Sequence, residues 1–353
     1  MTKSNPPLYP IIFSPIYKQT VWGGESWDVS CRPSEMSVIE NGPCAGQTFA
    51  SYIAANKELV LGTRLADCSA FPLLIKVIDA NDALSIQVHP NDAYVLCSGD
   101  SGKSEMWYVL TPPTDGHLIV GLKPGVTRQS LVAALEIAIP GLTGAYQDKN
   151  PRHQADSLSQ GSTGVKRNCS NGTIEDCFNR LAVKAGDIVN IPAGLVHALT
   201  PGAMVAEVQQ NSDITYRIYD YNRPGLDGKP RPLQIKDALA VTDFEGETPQ
   251  GVALGVCTKI GENHLTHYNC NKHFSVTKYD LVCIHAEESD YAAFSIFTCV
   301  SGHATLKTDC MTVDVTMGRT VFIPAGMGTY SITPGNGERA ILLKSTVCVH
   351  SPI

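Results

Sequence analysis

A chain of 353 residues, 43% hydrophobic and 17% charged, has room for about two packed domains and shows no sign of overall disorder. Its 27 basic and 34 acidic residues leave a formal charge of −7, so no basic stripe is available to displace counterions, which excludes nucleic acid as the main partner. An anionic small molecule stays admissible only if cations cluster locally against that overall field.

The N-terminal run 1–17 is broken by prolines, and no stretch approaches the ~18–20 apolar residues of a spanning helix, so neither an export signal nor a membrane segment is expected. Twelve cysteines contain no C-x-x-C pair, which argues against a zinc ribbon or a dithiol redox motif. They read as small buried hydrophobes of a cytoplasmic chain.

In chain order, residues 8–55 read as short strands and turns, with Trp22-Gly23-Gly24 and Asn41-Gly42 as turn signals. Residues 71–82 form an apolar strand interrupted by Lys76. That lysine is either an edge residue whose stem snorkels to water or an inward ammonium awaiting an anion. From Ala83 to Leu110, alternation sets Leu84, Ile86 and Val88 on one face and Ser85, Gln87 and His89 on the other. Glu105 opens a second β-rich run. An amide oxygen, an imidazole and a carboxylate suit a divalent metal of intermediate hardness, still lacking at least one nitrogen ligand. A strand follows at His117–Leu122, then a helix from Thr127 burying Leu131, Ala134, Leu135 and Ala138, ended by Pro140-Gly141. Residues 141–172, poor in large apolar groups, read as a surface insertion or lid. Thr173 then caps a short helix with Ile174, Cys177, Phe178 and Leu181 at helical spacing.

Strands are expected on both sides of Pro192-Ala193-Gly194, with His197 opening the second, and again at Ala206–Gln210 and Ile214–Tyr219. A short helix follows Pro232, and from about residue 250 the chain is all β. An internal repeat decides the architecture. GDIVNIPAGLVHALT (186–200) aligns with GRTVFIPAGMGTYSI (318–332), both carrying G-x5-P-x-G, which implies one shared turn geometry. Only the first copy continues to a histidine, His197; Thr329 stands at that place in the second. The motif resembles the cupin superfamily of small jelly-roll barrels. The expected fold is therefore mainly β: two cupin-type jelly-roll barrels with a few short helices. Residues 1–245 would hold the metal-binding barrel and 246–353 a degenerate barrel without a metal.

Gln87, His89, Glu105 and His197 then make a four-donor set, open enough for catalysis; zinc fits, and manganese or iron would also be accepted. LSIQVHPND, GKSEMWYVL, IPAGLVHAL and EVQQNSDITYRIYD together resemble type I phosphomannose isomerase, a zinc-dependent family, from Tyr9 through about Leu239. The resemblance implies Gln87, His89, Glu105 and His197 as ligands of one Zn(2+) per chain, and Arg217 as a catalytic arginine. It further implies Lys103 and Glu207 as polar active-site groups, and Lys76 and Ser85 as contacts to sugar or phosphate, joined there by Arg217. The activity implied is interconversion of mannose 6-phosphate and fructose 6-phosphate through an enediol, with Glu207, Lys103 or a metal-bound water as the acid–base group. A monomer or weak homo-oligomer is expected. Family members commonly pass from the helix almost directly to the N-G-T-x-E-D segment; this chain inserts roughly thirty residues before Asn171. Deletion of residues 142–169 should leave the fold intact.

Two other readings compete: a cupin metalloenzyme acting on another sugar phosphate, and a non-catalytic sugar-binding cupin. Gln87 in place of a histidine argues against a cupin dioxygenase, and Arg217 beside a complete ligand set argues against a sensor.

Overall fold

The computed structural model describes residues 7–96, 100–139, 141–142, 173–268 and 271–348. The insertion expected at 141–172 and the helix stop at Pro140 therefore fall almost wholly outside the described residues. The architecture is mainly β, built as four antiparallel sheets in two pairs. In the first pair, a six-stranded sheet runs in the order Ile188–Ile191, Glu105–Thr111, Met204–Gln210, Leu73–Ala80, Gly23–Val29, Ile16–Thr20. It faces a five-stranded sheet ordered Tyr216–Tyr219, Ile86–Val88, His197–Ala198, His117–Leu122, Phe178–Ala182. Ile78, Trp107, Val109 and Val205 of one meet Leu118, Val120 and Leu199 of the other in a common core. Inward and outward residues alternate along these strands, so polar groups set at the same parity also point into the barrel.

The second pair repeats the plan. An eight-stranded sheet (Val256–Ile260, Asn263–Tyr268, Phe274–Leu281, Ala340–Val347, Ser295–Ser301, Thr320–Ile323, Ile11–Ser14, Val38–Ile39) faces a four-stranded one (His285–Glu288, Thr329–Pro334, His303–Lys307, Thr312–Thr316). Strand Ile11–Ser14 pairs with Thr320–Ile323, so the N-terminal segment completes the C-terminal sheet and the strand pairings cross the boundary expected at residue 245. The two large sheets pack back to back through Val29, Ile75, Met106 and Val208 on one side and Phe274, Ile296 and Phe322 on the other. Outside the five-stranded sheet, helix Arg128–Ala138 and helix Ile235–Val241 cover Ile86, Val88, Ile119 and Ala198.

Three expectations need correction. Residues 8–55 are not all strands and turns, because Phe49–Ala55 is a helix capped by Thr48; a second helix, Lys57–Leu61, follows, capped by Asn56. The helix expected from Thr173 stops after one 3-10 turn, Ile174–Cys177, and Phe178–Ala182 is a strand. Phe178 and Leu181 mimic a helical stripe because strand alternation sets residues three apart on opposite faces, and both faces of this sheet are buried, in different cores. The repeated turns also differ. Both close with a backbone hydrogen bond, Leu195 to Pro192 and Met327 to Pro324. Yet Gly194 has φ +90°, as the third residue of a type II turn requires, whereas the left-handed residue of the second copy is Gly328 rather than Gly326. Tyr330, not Thr329, consequently faces the barrel interior where His197 does in the first copy: Gln87 pairs with His197 and Glu287 with Tyr330.

Candidate metal centre and active site

His89, Glu105 and His197 come together in the first barrel, their ligand atoms all within 4.8 Å of one another and all three side chains buried. Three pieces of local structure bring them there. Gln87 and His197 are opposite residues on neighbouring strands. Glu105 starts its own strand opposite Gln209 and Ile191. The turn at Gly194 is strapped to the ligand strand by its N–H, which donates to the His89 carbonyl (2.9 Å).

Both imidazoles are oriented by backbone. His89 Nδ1 lies 2.8 Å from the Ile214 carbonyl and His197 Nδ1 2.8 Å from that of Leu195. With Nδ1 as donor in each ring, both Nε2 lone pairs face the cluster, as a metal ligand needs. Burial and the neighbouring Lys103 push His89 down to about 3, and burial lowers His197 as well, so both rings stay neutral and available. Glu105 is the counterpart. Burial acts to raise it, but Lys103, His89 and His197 overcome that and hold it well below the usual carboxylate range. Its Oε2 is buried without a hydrogen-bond partner, 3.6 Å from His197 Nε2. Gln87 Oε1 accepts a hydrogen bond from Ser85 (3.2 Å), and its amide Nε2 sits 3.5 Å from His197 Nε2. Two neutral imidazoles, a carboxylate with an orphaned oxygen and an amide fit a divalent ion of the zinc type. In this structure the cation that answers Glu105 is Lys103, 2.8 Å from its Oε1 and 3.3 Å from His89 Nε2.

The other expected residues, Lys76, Ser85, Lys103, Glu207 and Arg217, line a cavity of about 180 Å³ that Gln87 and Glu105 also border. The open question about Lys76 resolves inward. Its ammonium is buried on the central strand, 3.6 Å from Glu207 and 3.8 Å from Glu25. Glu207 is pushed up to about 7 by burial and by Glu105, against the pull of Lys76, Lys103 and the Trp107 indole, which donates to it at 2.8 Å. Arg217 lies opposite Gln87 across the strands, its Nε buried without a partner, and burial with nearby Arg231 lowers its pKa. In the Gln210-Asn211-Ser212-Asp213 segment, Asp213 lines the cavity and the residues before it act as a strap. Asn211 bonds to Phe71 and Pro72, fixing the backbone that presents the Ile214 carbonyl to His89.

Sequence reading missed Glu25, Trp107 and Arg231, all of which line the cavity. The first two carried a usable signal. Trp107 stands two residues after Glu105 on one strand, and Glu25 follows a turn on a strand beside Lys76, so period-2 parity marks both as inward. Arg231 carried none, since it arrives on the loop before helix Ile235–Val241 and is held by Asp220 through two hydrogen bonds, at 2.6 and 2.7 Å.

Comparison with known proteins agrees with this geometry. The family model "Phosphomannose isomerase type I, catalytic domain" matches residues 13–111, and "Mannose-6-phosphate isomerase, cupin domain" matches residues 263–342. The chain belongs to the type I phosphomannose isomerase family. Among its relatives, the probable mannose-6-phosphate isomerase GmuF of Bacillus subtilis is 28% identical over 347 residues, 92% of this chain and 96% of that one. The mannose-6-phosphate isomerase of Streptococcus mutans is 33% identical over 235 residues, 65% of this chain and 62% of that one. The crystal structure of the Bacillus subtilis mannose 6-phosphate isomerase superposes with a TM-score of 0.77 at 26% identity, covering 95% of this chain and 99% of that one. As a phosphomannose isomerase family member the chain is an enzyme of the isomerase class, with the cupin fold expected from the repeated turn. No helix among the described residues is long and apolar enough to cross a membrane.

Proposed function

We propose that the chain interconverts mannose 6-phosphate and fructose 6-phosphate through an enediol, with one zinc ion held by Gln87, His89, Glu105 and His197. The aldose comes from the relatives, which carry mannose-6-phosphate isomerase in their names, and the ketose is its aldose–ketose isomer. One observation carries the reading: Glu105, clustered with His89 and His197, lines a cavity together with Gln87, the carboxylate of Glu207, two lysines and Arg217. Zinc bound there would polarise the sugar oxygens at which negative charge develops.

Moving a proton between carbon 2 and carbon 1 calls for a group that gains and loses it near neutral pH. Glu207, at about 7, is the side chain so poised, which makes it the proposed acid–base group. Lys76 at 3.6 Å stabilises its carboxylate form and the Trp107 indole fixes its orientation. Lys103 stays cationic: burial acts to lower it, but Glu105 and Glu207 raise it further. Lys103 is therefore placed to hold anionic oxygen and not to take up the proton. Arg217 offers a planar fork whose Nε has no protein partner, which suits an enediolate or a phosphate. Trp22, Ile78 and Leu84 wall the cavity and limit its water.

The test is a coupled assay with mannose 6-phosphate on purified protein, before chelation, after it, and after zinc is restored. We expect activity to vanish on chelation and return with zinc. A zinc-loaded protein without turnover would sink the reading.

A further inference from the structure

The second barrel has a cavity of its own where the first holds its donor set. The correspondence follows from strand pairing. Gln87 pairs with His197 in the first barrel, and Glu287 with Tyr330 in the second. Glu207 pairs with Trp107, and Lys344 with Phe297. Along the same ladders Glu105, opposite Ile191, corresponds to Ser295, opposite Ile323. His89, two residues past Gln87, corresponds to Ser289. Two imidazoles and a carboxylate thus give way to three hydroxyls, and an inward carboxylate gives way to an ammonium. Glu287, the acid at the Gln87 position, is neutralised by an ion pair with Lys344 and accepts a hydrogen bond from Tyr279 (3.0 Å). Here the positive charge is part of the chain.

A groove of about 930 Å³ opens onto these residues. Ser275, Ser289, Ser295, Tyr330, Thr346 and Lys344 line it. These are five hydroxyls and an ammonium, supplied by four strands and one strand end. Arg64 and Lys272 also line it; Lys272 is 4.0 Å from an Asp92 carboxylate oxygen, while the Arg64 guanidinium makes no ion pair among the described residues. Glu288 and Asp290 add carboxylates able to accept sugar hydroxyls. We propose that this groove is a second, non-catalytic site for a sugar phosphate. Hydroxyls in that number match a polyol, the unpaired Arg64 guanidinium matches its phosphate, and the volume lies within the ~300–1,000 Å³ of small-molecule pockets. The site stands on geometry independent of the catalytic reading.

The experiment is calorimetric titration with 6-phosphogluconate, a hexose-derived phosphate with no carbonyl to isomerise. Wild-type protein should bind two molecules per chain. Ser295→Trp, which fills the groove, should bind one and keep its turnover of mannose 6-phosphate. Arg64→Ala, a surface change that spares the fold, should weaken the groove site by about tenfold, the equivalent of one charge-assisted hydrogen bond. A single site in the wild type that S295W abolishes would support the groove and count against the catalytic cavity instead. The proposal is overturned if wild-type protein shows no site, or only sites that neither substitution changes.

Discussion

The two barrels share a plan and differ in what stands at the centre. Both pair a large sheet with a small one, and both carry the proline-containing turn. In the first, the turn is held against the ligand strand and delivers His197; in the second, the N–H of Gly326 bonds instead to Leu59, in helix Lys57–Leu61. The left-handed residue then falls two positions later, at Gly328, and Tyr330 is the side chain that enters the barrel. The lesson concerns charge as much as register. The first barrel leaves a carboxylate oxygen unsatisfied beside two neutral imidazoles. In the second, the acid at the Gln87 position, Glu287, is answered by Lys344 from the position that Glu207 holds in the first.

The largest effect should follow from removing the feature that only the first barrel has. His197→Ala should lower kcat for mannose 6-phosphate by about a thousandfold, a loss typical of removing a group that stabilises developing charge. Zinc content by elemental analysis should fall with it. Full metal content and activity in H197A would show that the imidazole is structural.

Next comes the carboxylate whose counterpart in the second barrel is a lysine. Glu207→Gln should cost about a hundredfold in kcat with little change in KM, as for removal of a general acid–base group. Zinc should stay bound. A rise in KM alone would assign Glu207 to substrate binding.

How far this comparison could be foreseen follows from periodicity. Phe274–Leu281, His117–Leu122 and the helix after Thr127 were legible because their apolar spacing is regular and their ends are marked by turn and capping residues. The donor set was legible because alternation placed Gln87 with His89 and the repeated turn singled out His197. Register was not legible. Whether Thr329 or Tyr330 enters the barrel depends on one glycine's φ, and a one-residue slip exchanges the two faces of a strand. Nor was the pairing of Ile11–Ser14 with Thr320–Ile323, since nothing local to either strand names a partner some three hundred residues away. The ion pair of Lys344 with Glu287 was hidden for the same reason.

That ion pair gives the third test. Lys344→Met leaves Glu287 mostly buried, its side chain 16% exposed, without a counter-charge, and should lower stability by about 2 kcal/mol in urea unfolding, below a fully buried pair because both groups retain some water. The double change with Glu287→Gln should recover most of that loss. Equal losses in the single and double variants would mean that the lysine acts through packing on Phe297 and Tyr279 and not through its charge.

The smallest effect separates the titrating groups of the first barrel in metal-free protein. His89 falls from 6.5 unfolded to about 3 folded, so between those values the unfolded chain binds the extra proton and stability drops as pH falls. His197, also lowered, acts in the same direction. Glu207 rises from 4.5 to about 7, so between those values the folded chain binds the extra proton and its contribution is lost as pH rises. Across pH 4.5–6.5 the carboxylate therefore opposes the imidazoles. Removing it by Glu207→Gln should steepen the loss of stability on acidification by about one proton, or about 1.4 kcal/mol per pH unit. Urea unfolding of the chelated wild type and E207Q at several pH values in that window measures the slope directly. Parallel slopes would mean that Glu207 does not hold its proton in the folded chain, which would remove it as the acid–base group.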